Sequence, residues 1–333
     1  MFPILNRFQS AGFQRGFRWG CGAVLVCIAV SSAHFRVSHS QETTVAKHLN
    51  VSMPTLGGTQ LWTDHVIRDG YRIQRNSLTG HHRLLDASDV RRAWGSRADV
   101  EAVLNELNPA TTAQSEDGKP TVVLLHGLMR TAQSMRSMEM ALNEAGYERT
   151  VRFSYASTRQ SIAEDAAALR EVLEGMPSDS TFSFVGHSMG NIVVRHLVGD
   201  LQTAGDPKGI LTRCESMVML GPPNQGAAIA RRLSNFGVFR TMVGKGAVEL
   251  GRDFDQIRDH LAVPPFPFLV VAGNVTDSPI SNPLTDGEGD FVVSLDEARL
   301  DGAATMIEVP VLHSFLMDDA AVQERTLQFI ADH

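Results

Sequence analysis

A serine stands between two glycines in the segment Gly186-His187-Ser188-Met189-Gly190. The apolar run TFSFV (181–185) precedes this segment, and the run NIVVRHLV, typical of a buried helix, follows it. A serine on a sharp turn from strand to helix can act as a nucleophile, because the turn exposes its hydroxyl. The small glycines avoid clashes within such a turn. The pattern therefore predicts Ser188 as the nucleophile of an acyl-transfer reaction.

A nucleophilic serine needs a general base and an acid that orients the base, and both should follow it in the chain. His313 lies directly after the last predicted strand, MIEVPVL (306–312), and is the predicted base. For the acid we favour Asp290, which begins the segment Asp-Phe-Val-Val-Ser. Asp277, shortly after the apolar run FPFLVVAG (266–273), is the alternative.

Acyl transfer also requires two N–H donors for the developing oxyanion. Met189 follows the predicted nucleophile, so its amide is one candidate. The second should come from a loop after an earlier strand, and His126-Gly127-Leu128 follows the apolar run TVVLL (121–125). We therefore predict an oxyanion hole formed by the amides of Leu128 and Met189.

Strand-like runs alternate with helical segments from residue 120 to the C-terminus, and this alternation predicts an α/β fold with a mostly parallel sheet. We expect about eight strands, helices on both faces and a helical insertion, 227–261, after the sixth strand. Before this region, Asp69-Gly70 separates two alternating runs and predicts a hairpin at the edge of the sheet. Residues 88–107 have helical spacing.

These motifs resemble those of the α/β-hydrolase fold family, in its bacterial lipase and esterase branch. The similar segments are LLHGL (124–128), VGHSMGN (185–191), LGPPNQG (220–226), GDFVVS (289–294) and LHS (312–314). The resemblance extends over about residues 120–332 and implies ester hydrolysis by Ser188, His313 and Asp290. Lipases of this kind carry Asn-Asp-Gly around the acid, whereas this chain has Gly289-Asp290-Phe291.

The N-terminal segment predicts export of the protein. Residues 1–33 contain three arginines and no acidic residue, then the apolar run CGAVLVCIAV, and end at Ser31-Ser32-Ala33. This order is typical of a signal peptide. We expect a secreted or periplasmic protein, with an uncleaved N-terminal anchor as the alternative, followed by a flexible segment, 34–58, and a hydrolase domain, 59–333.

The composition argues against nucleic acid as a partner. The 333-residue chain has a net charge of −7, which becomes −10 without residues 1–33. After that segment the sequence has no block of basic residues of the kind that is typical of nucleic-acid binders. Of three cysteines only Cys214 lies beyond that segment, in an apolar run that predicts a structural residue. We expect a small-molecule or lipid acyl ester as substrate, with neither cofactor nor metal. We expect transient contact with a lipid surface if 227–261 is a lid; an ordinary packed cap is the alternative.

The motifs fit several acyl-transfer reactions. Besides an esterase, the same residues would serve a thioesterase, an amidase or an acyltransferase. A binding protein that has kept the fold without catalysis is the remaining alternative. The sequence predicts no oligomeric state.

Overall fold

Two sheets organise the computed structural model, which describes residues 53–54, 60–109, 118–226, 245–246, 248–251, 253–275 and 288–333. Five strands precede residue 96, and six follow residue 120. The first five are β1 (Met53–Pro54), β2 (Trp62–Arg68), β3 (Tyr71–Asn76), β4 (His82–Leu85) and β5 (Val90–Gly95). The later six are β6 (Thr121–Leu125), β7 (Thr150–Phe153), β8 (Phe182–His187), β9 (Cys214–Leu220), β10 (Phe268–Gly273) and β11 (Thr305–Val309).

Seven α-helices have both ends within the described residues, and residues 245–246 and 248–250 are also helical. The seven are α1 (Arg97–Leu107), α2 (Arg136–Glu144), α3 (Ile162–Glu174), α4 (Met189–Ala204), α5 (Phe254–Arg258), α6 (Leu295–Ala298) and α7 (Ala320–Asp332). Short 3-10 turns occur at Ala132–Met135, Leu211–Arg213 and His313–Phe315. None of these described helices has both the length and the apolar character needed to cross a bilayer.

The later six strands form one parallel sheet in the order β11-β10-β9-β8-β6-β7. Residues of β6 alternate between two cores: Val123 and Leu125 pack with α3 and α4, whereas Val122 and Leu124 pack with α2 and α7. The sheet is therefore buried on both faces, which explains why its strands are continuous apolar runs. The predicted α/β fold with helices on both faces is confirmed.

The predicted strand count was wrong: the described residues give the parallel sheet six strands rather than about eight. The predicted hairpin exists as β2 and β3, but it pairs with β4 in a separate antiparallel sheet of order β1-β5-β4-β3-β2. The insertion therefore follows β9, the fourth strand of the parallel sheet along the chain. Most of the insertion, residues 227–244, lies outside the described residues.

The predicted helix 88–107 is also shorter than expected. Residues Val90–Gly95 form β5 against β4, and α1 starts only after Ser96. The Ser96 side chain accepts a hydrogen bond from the Asp99 amide, and the Asp99 side chain accepts one from the Ser96 amide. This capping box sets the start of the helix.

The antiparallel sheet contacts the outer strand of the parallel sheet through a few specific bonds. The Asp64 amide on β2 donates to the Ser154 carbonyl at 2.8 Å, and the Asp64 carboxylate accepts from the Ser154 amide at 2.7 Å. Arg72 of β3 bonds the same carboxylate at 3.0 Å. The signal peptide predicted for 1–33 lies outside the described residues, and of segment 34–58 only β1 is described.

Candidate active site

Ser188 lies on the turn between β8 and α4, near the middle of the parallel sheet. Its backbone has φ 53° and ψ −121°, a strained conformation for a residue other than glycine. The Ser188 amide donates to the Leu220 carbonyl at 2.8 Å, and the Ser188 carbonyl accepts from the Asn191 side chain at 3.0 Å. The neighbouring strand and the first helical turn thus hold the serine in this conformation.

The two glycines of the motif permit close backbone approach. A Cβ atom at Gly186 would lie 2.2 Å from Asn191 Oδ1. One at Gly190 would lie 2.8 Å from the Leu125 carbonyl oxygen and 2.9 Å from that of His126. All three distances are shorter than a Cβ atom tolerates, so both glycines are required by the packing at this turn.

Asp290 and His313 are in contact. His313 Nδ1 lies 2.7 Å from Asp290 Oδ2, and the two residues are only 6% and 1% exposed. An ionised carboxylate can only accept, so Nδ1–H is the donor and Nε2 is left as a proton acceptor. The His313 amide also donates to the Asp290 carbonyl, at 3.2 Å.

A tight turn holds the Asp290 carboxylate. Oδ1 accepts from the amides of Val292 and Val293 at 3.0 and 2.8 Å, so the two carboxylate oxygens have separate partners. Phe291, which replaces the glycine of the lipase pattern, has φ 78°. The backbone conformation favoured by glycine is thus kept despite the change of residue. The alternative acid, Asp277, lies outside the described residues.

His187 links the serine to the histidine, a role that the motif around Ser188 does not predict. Its Nε2–H donates to the His313 carbonyl at 3.0 Å, and the two rings are 4.8 Å apart. His187 is fully enclosed, and burial first, then the positive charge that His313 can take up, lower its pKa well below the usual value. Its position beside Ser188 in the motif was the only signal in the sequence.

The predicted oxyanion residues lie on either side of the serine. Met189 begins α4, so its N–H has no acceptor within the helix. On the other side, a Cβ at Gly127 would stand 3.1 Å from Ser188 Cβ, which puts the loop containing Leu128 against the serine. The arrangement can present two amides to an atom bound at Ser188.

Tyr155 supports the loop that contains Leu128. Its ring stacks on His126 with centroids 4.1 Å apart, and its hydroxyl donates to the His126 carbonyl. His126 Nδ1–H donates to the Gly127 carbonyl at 2.9 Å. Burial, more than any other cause, lowers the pKa of His126 to about 4, so this histidine is neutral at pH 7. No pattern in either segment predicts the contact between Tyr155 and His126.

Cys214, which the sequence predicts to be a structural residue, lies in an apolar environment. Cys214 is partly buried, and its Sγ donates to the Ile210 carbonyl at 3.2 Å. Burial raises its pKa to about 12, so a thiolate nucleophile is excluded at this position.

Comparison with known proteins gives a family match for one segment of the chain and a fold. Residues 115–221 match the sequence family described as "Putative serine esterase (DUF676)". No curated protein sequence matches the chain. The structure is similar to the mature lipase BlEst2 of Bacillus licheniformis, with a TM-score of 0.53 and 16% identity over 66% of this chain and 96% of that one.

Two further solved structures are more distant. A metagenomic carboxyl esterase has a TM-score of 0.46 and 18% identity, over 68% of this chain and 79% of that one. The lin2722 gene product of Listeria innocua has a TM-score of 0.45 and 18% identity, over 65% and 95%. The chain has the α/β-hydrolase fold, and its segment 115–221, which includes the serine turn, matches a serine esterase family.

Proposed function

We propose that the protein is a serine hydrolase of carboxylic esters, with Ser188 as nucleophile, His313 as base and Asp290 as acid. The observation that supports this most strongly is the combination of a strained serine turn with a buried aspartate–histidine pair beside it. The link between them is the contact of His187 with the His313 carbonyl. The match to a serine esterase family over 115–221 agrees with this chemistry.

In the proposed reaction, His313 Nε2 takes the proton of the Ser188 hydroxyl, and the serine oxygen attacks the ester carbonyl carbon. The Leu128 and Met189 amides stabilise the oxyanion. His313 then gives its proton to the departing alkoxide, and an acyl-enzyme remains. Water, deprotonated by the same histidine, releases the acid and restores Ser188.

The surface beside these residues favours an apolar acyl substrate. Met129, next to the predicted oxyanion loop, is 54% exposed, and Phe315, just after His313, is 56% exposed. Arg130 donates to the Ser314 carbonyl at 3.3 Å, so the two loops are adjacent. Exposed apolar side chains at a site are typical of contact with an apolar ligand.

The end of the predicted insertion also reaches the serine turn. A Cβ at Gly246 would lie 2.7 Å from the Ser157 carbonyl oxygen and 2.9 Å from Met189 Sδ. This contact supports a cap that borders the acyl site. The predicted lid consists mainly of residues 227–244, which lie outside the described residues.

A substrate panel tests the proposal. We expect the purified protein to hydrolyse p-nitrophenyl esters, and Ser188→Ala to lower kcat by roughly 10³-fold or more. Ser178→Ala, on the exposed loop before β8, is the matched control and should leave turnover unchanged. Parallel thioester and anilide substrates with the same acyl group measure leaving-group preference. A thioester or amide preference in kcat/KM would correct the substrate class, and full ester turnover by Ser188→Ala would refute the mechanism.

We also propose that the protein acts outside the cytoplasm, on the basis of the signal-like sequence 1–33. Expression of the full chain with fractionation and N-terminal sequencing tests this. A mature form that starts near residue 34 is expected. An intact chain found only in the cytoplasm would contradict it.

A further inference from the structure

Two histidines and an aspartate meet on the far part of α4, away from Ser188. His196 and Asp200 are on this helix, and His260 follows α5 at the end of the predicted insertion. One ligand atom from each residue lies within 4.8 Å of the other two. We propose that these three side chains bind a single divalent metal ion of the zinc class.

The two helical residues already have a suitable separation. Residues four apart share one face of a helix, and His196 Nδ1 lies 3.0 Å from Asp200 Oδ2. Two ligand atoms on one tetrahedral zinc ion stand about 3.3 Å apart, given zinc–ligand bonds of about 2.0 Å. A metal ion can therefore bind both atoms with only a small movement. The His196 side chain is 6% exposed and that of Asp200 36%, so the pair lies at the edge of the core.

The backbone of the third ligand is held against the same helix. The Ala262 amide donates to the Arg195 carbonyl at 3.2 Å, and Arg195 Nε donates to the Ala262 carbonyl at 3.0 Å. A Cβ at Gly199 would lie 2.0 Å from the His260 carbonyl oxygen, so only glycine permits this contact. The segment from His260 to Ala262 is thus fixed on α4, and the site is largely preorganised.

The ring of His260 completes the arrangement. Its centroid lies 5.5 Å from that of His196. Two imidazoles on one tetrahedral ion have centroids roughly 5 Å apart, since each bond places a ring about 3 Å from the metal. His260 is exposed, so side-chain rotation can close the remaining distance without displacing the core.

The ligand types decide the class of ion. Two imidazoles and one carboxylate suit zinc and similar transition metals, whereas calcium and magnesium prefer oxygen ligands. Three protein ligands leave a fourth position for water. His196 is eight residues beyond Ser188 on the helix, about 12 Å along its axis. The proposed ion therefore stands apart from the acyl site and would join the end of the insertion to the nucleophile helix.

Zinc titration of the chelator-treated full chain by calorimetry tests this site. We expect His260→Ala and Asp200→Asn each to weaken the tightest zinc site by about tenfold or more, because even loss of an outer-shell partner typically costs that much. Asp259→Asn is the matched control, since it removes an exposed carboxylate next to His260. It should retain the affinity of the parent, as should Ser188→Ala.

Cobalt provides a second measurement on the same variants. Co²⁺ in the parent should give the visible absorption of a four-coordinate ion, and His260→Ala should lose it. Zinc should raise the melting temperature of the parent but not of His260→Ala. The proposal is overturned if the parent binds no zinc, or if both ligand variants bind it as the parent does. His196 and Asp200 would then be an ordinary helical ion pair.

Discussion

At the residue scale, Asp290 is the proposed acid, and its two carboxylate oxygens have separate partners. One carboxylate oxygen contacts His313 and the other holds the turn through the amides of Val292 and Val293. An asparagine could keep the second set of bonds but not accept from His313 Nδ1–H if its amide nitrogen occupies the Oδ2 position. The two functions of the side chain can therefore be separated by one substitution.

We expect Asp290→Asn to lower kcat for ester hydrolysis by roughly 10³–10⁴-fold, because His313 loses the partner that fixes its tautomer. The melting temperature should change little. Glu288→Gln, an exposed carboxylate two residues away, is the control and should retain activity. If Asp277→Asn abolished turnover while Asp290→Asn did not, the assignment of the acid would be wrong.

Asp165 on α3 is a second residue whose environment has a measurable consequence. It is completely buried, and neither carboxylate oxygen has a hydrogen-bond partner among the described residues. Burial is the main cause that raises its pKa well above 3.8, and the nearby charges of Glu164 and Glu249 add to it. The folded protein therefore keeps Asp165 protonated at pH values where the unfolded chain has lost the proton.

This difference in protonation between the folded and unfolded states makes the free energy of unfolding depend on pH. As pH rises above about 3.8, the unfolded state binds fewer protons than the folded state, so the cost of Asp165 to stability grows until pH reaches its folded pKa and stays constant above it. Within that window the cost grows by about 1.4 kcal/mol per pH unit. The free energy of unfolding of Asp165→Asn relative to the parent should therefore increase with pH. Urea unfolding at pH 5, 6.5 and 8 measures this. A difference independent of pH, as expected for the exposed control Asp179→Asn, would show that Asp165 is ionised in the folded protein.

At the element scale, the turn between β8 and α4 depends on contact with the end of β6. Gly190 is packed against the carbonyl groups of Leu125 and His126, next to the loop that contains Leu128. A side chain at Gly190 would push the helix and this loop apart. The position of the nucleophile relative to the predicted oxyanion amides would then change.

We expect Gly190→Ala to destabilise the fold by about 1–3 kcal/mol, as overpacking of a tight site does. Ester turnover should fall as well, because the two amides are displaced from Ser188. Gly175→Ala, where the new Cβ would be 3.4 Å from the nearest carbonyl oxygen, is the control. Urea unfolding and kcat measured on the same samples check both effects. Unchanged stability and turnover in Gly190→Ala would contradict the packing argument.

The elements of the parallel sheet could be predicted because their signals are local. The runs TVVLL, TFSFV and SMVML are continuous and apolar, and each is described as a strand within one or two residues of its predicted ends. The choice of partner for the hairpin is not local. β2 and β3 pair with each other and with β4 in the antiparallel sheet, so the partner of the hairpin lies in a later segment of the chain. The spacing of Val100, Val103 and Leu104 correctly predicts a helix. The predicted helix begins too early, because the residues before Ser96 form β5 instead.

The predicted site residues show the same distinction between local signals and contacts that join distant segments. Ser188, Asp290 and His313 each have a signal in their own segment, at a strand end. His187 and Tyr155 instead contact distant segments: the Tyr155 hydroxyl bonds to the His126 carbonyl, and His187 Nε2 to the His313 carbonyl. The proposed zinc-class site is of this kind as well, because His260 meets His196 through the packing of residues 260–262 on α4.

At the scale of the whole molecule, the predicted site residues belong to the parallel sheet, and the antiparallel sheet packs against its edge. The parallel sheet has Ser188, His313, the Asp290 loop and the predicted oxyanion loop at the carboxyl ends of its strands, the edge where parallel sheets bind ligands. The antiparallel sheet bonds to the far edge through Asp64.

The central claim is that Ser188 is the activated nucleophile, and covalent labelling tests it most directly. The folded protein is treated with a fluorophosphonate, digested and analysed by peptide mass spectrometry. We predict one phosphonate per chain, on Ser188, with no labelling of Ser188→Ala and greatly slowed labelling of the His313→Ala variant. Modification at another serine, or an unlabelled parent that still hydrolyses esters, would contradict the account.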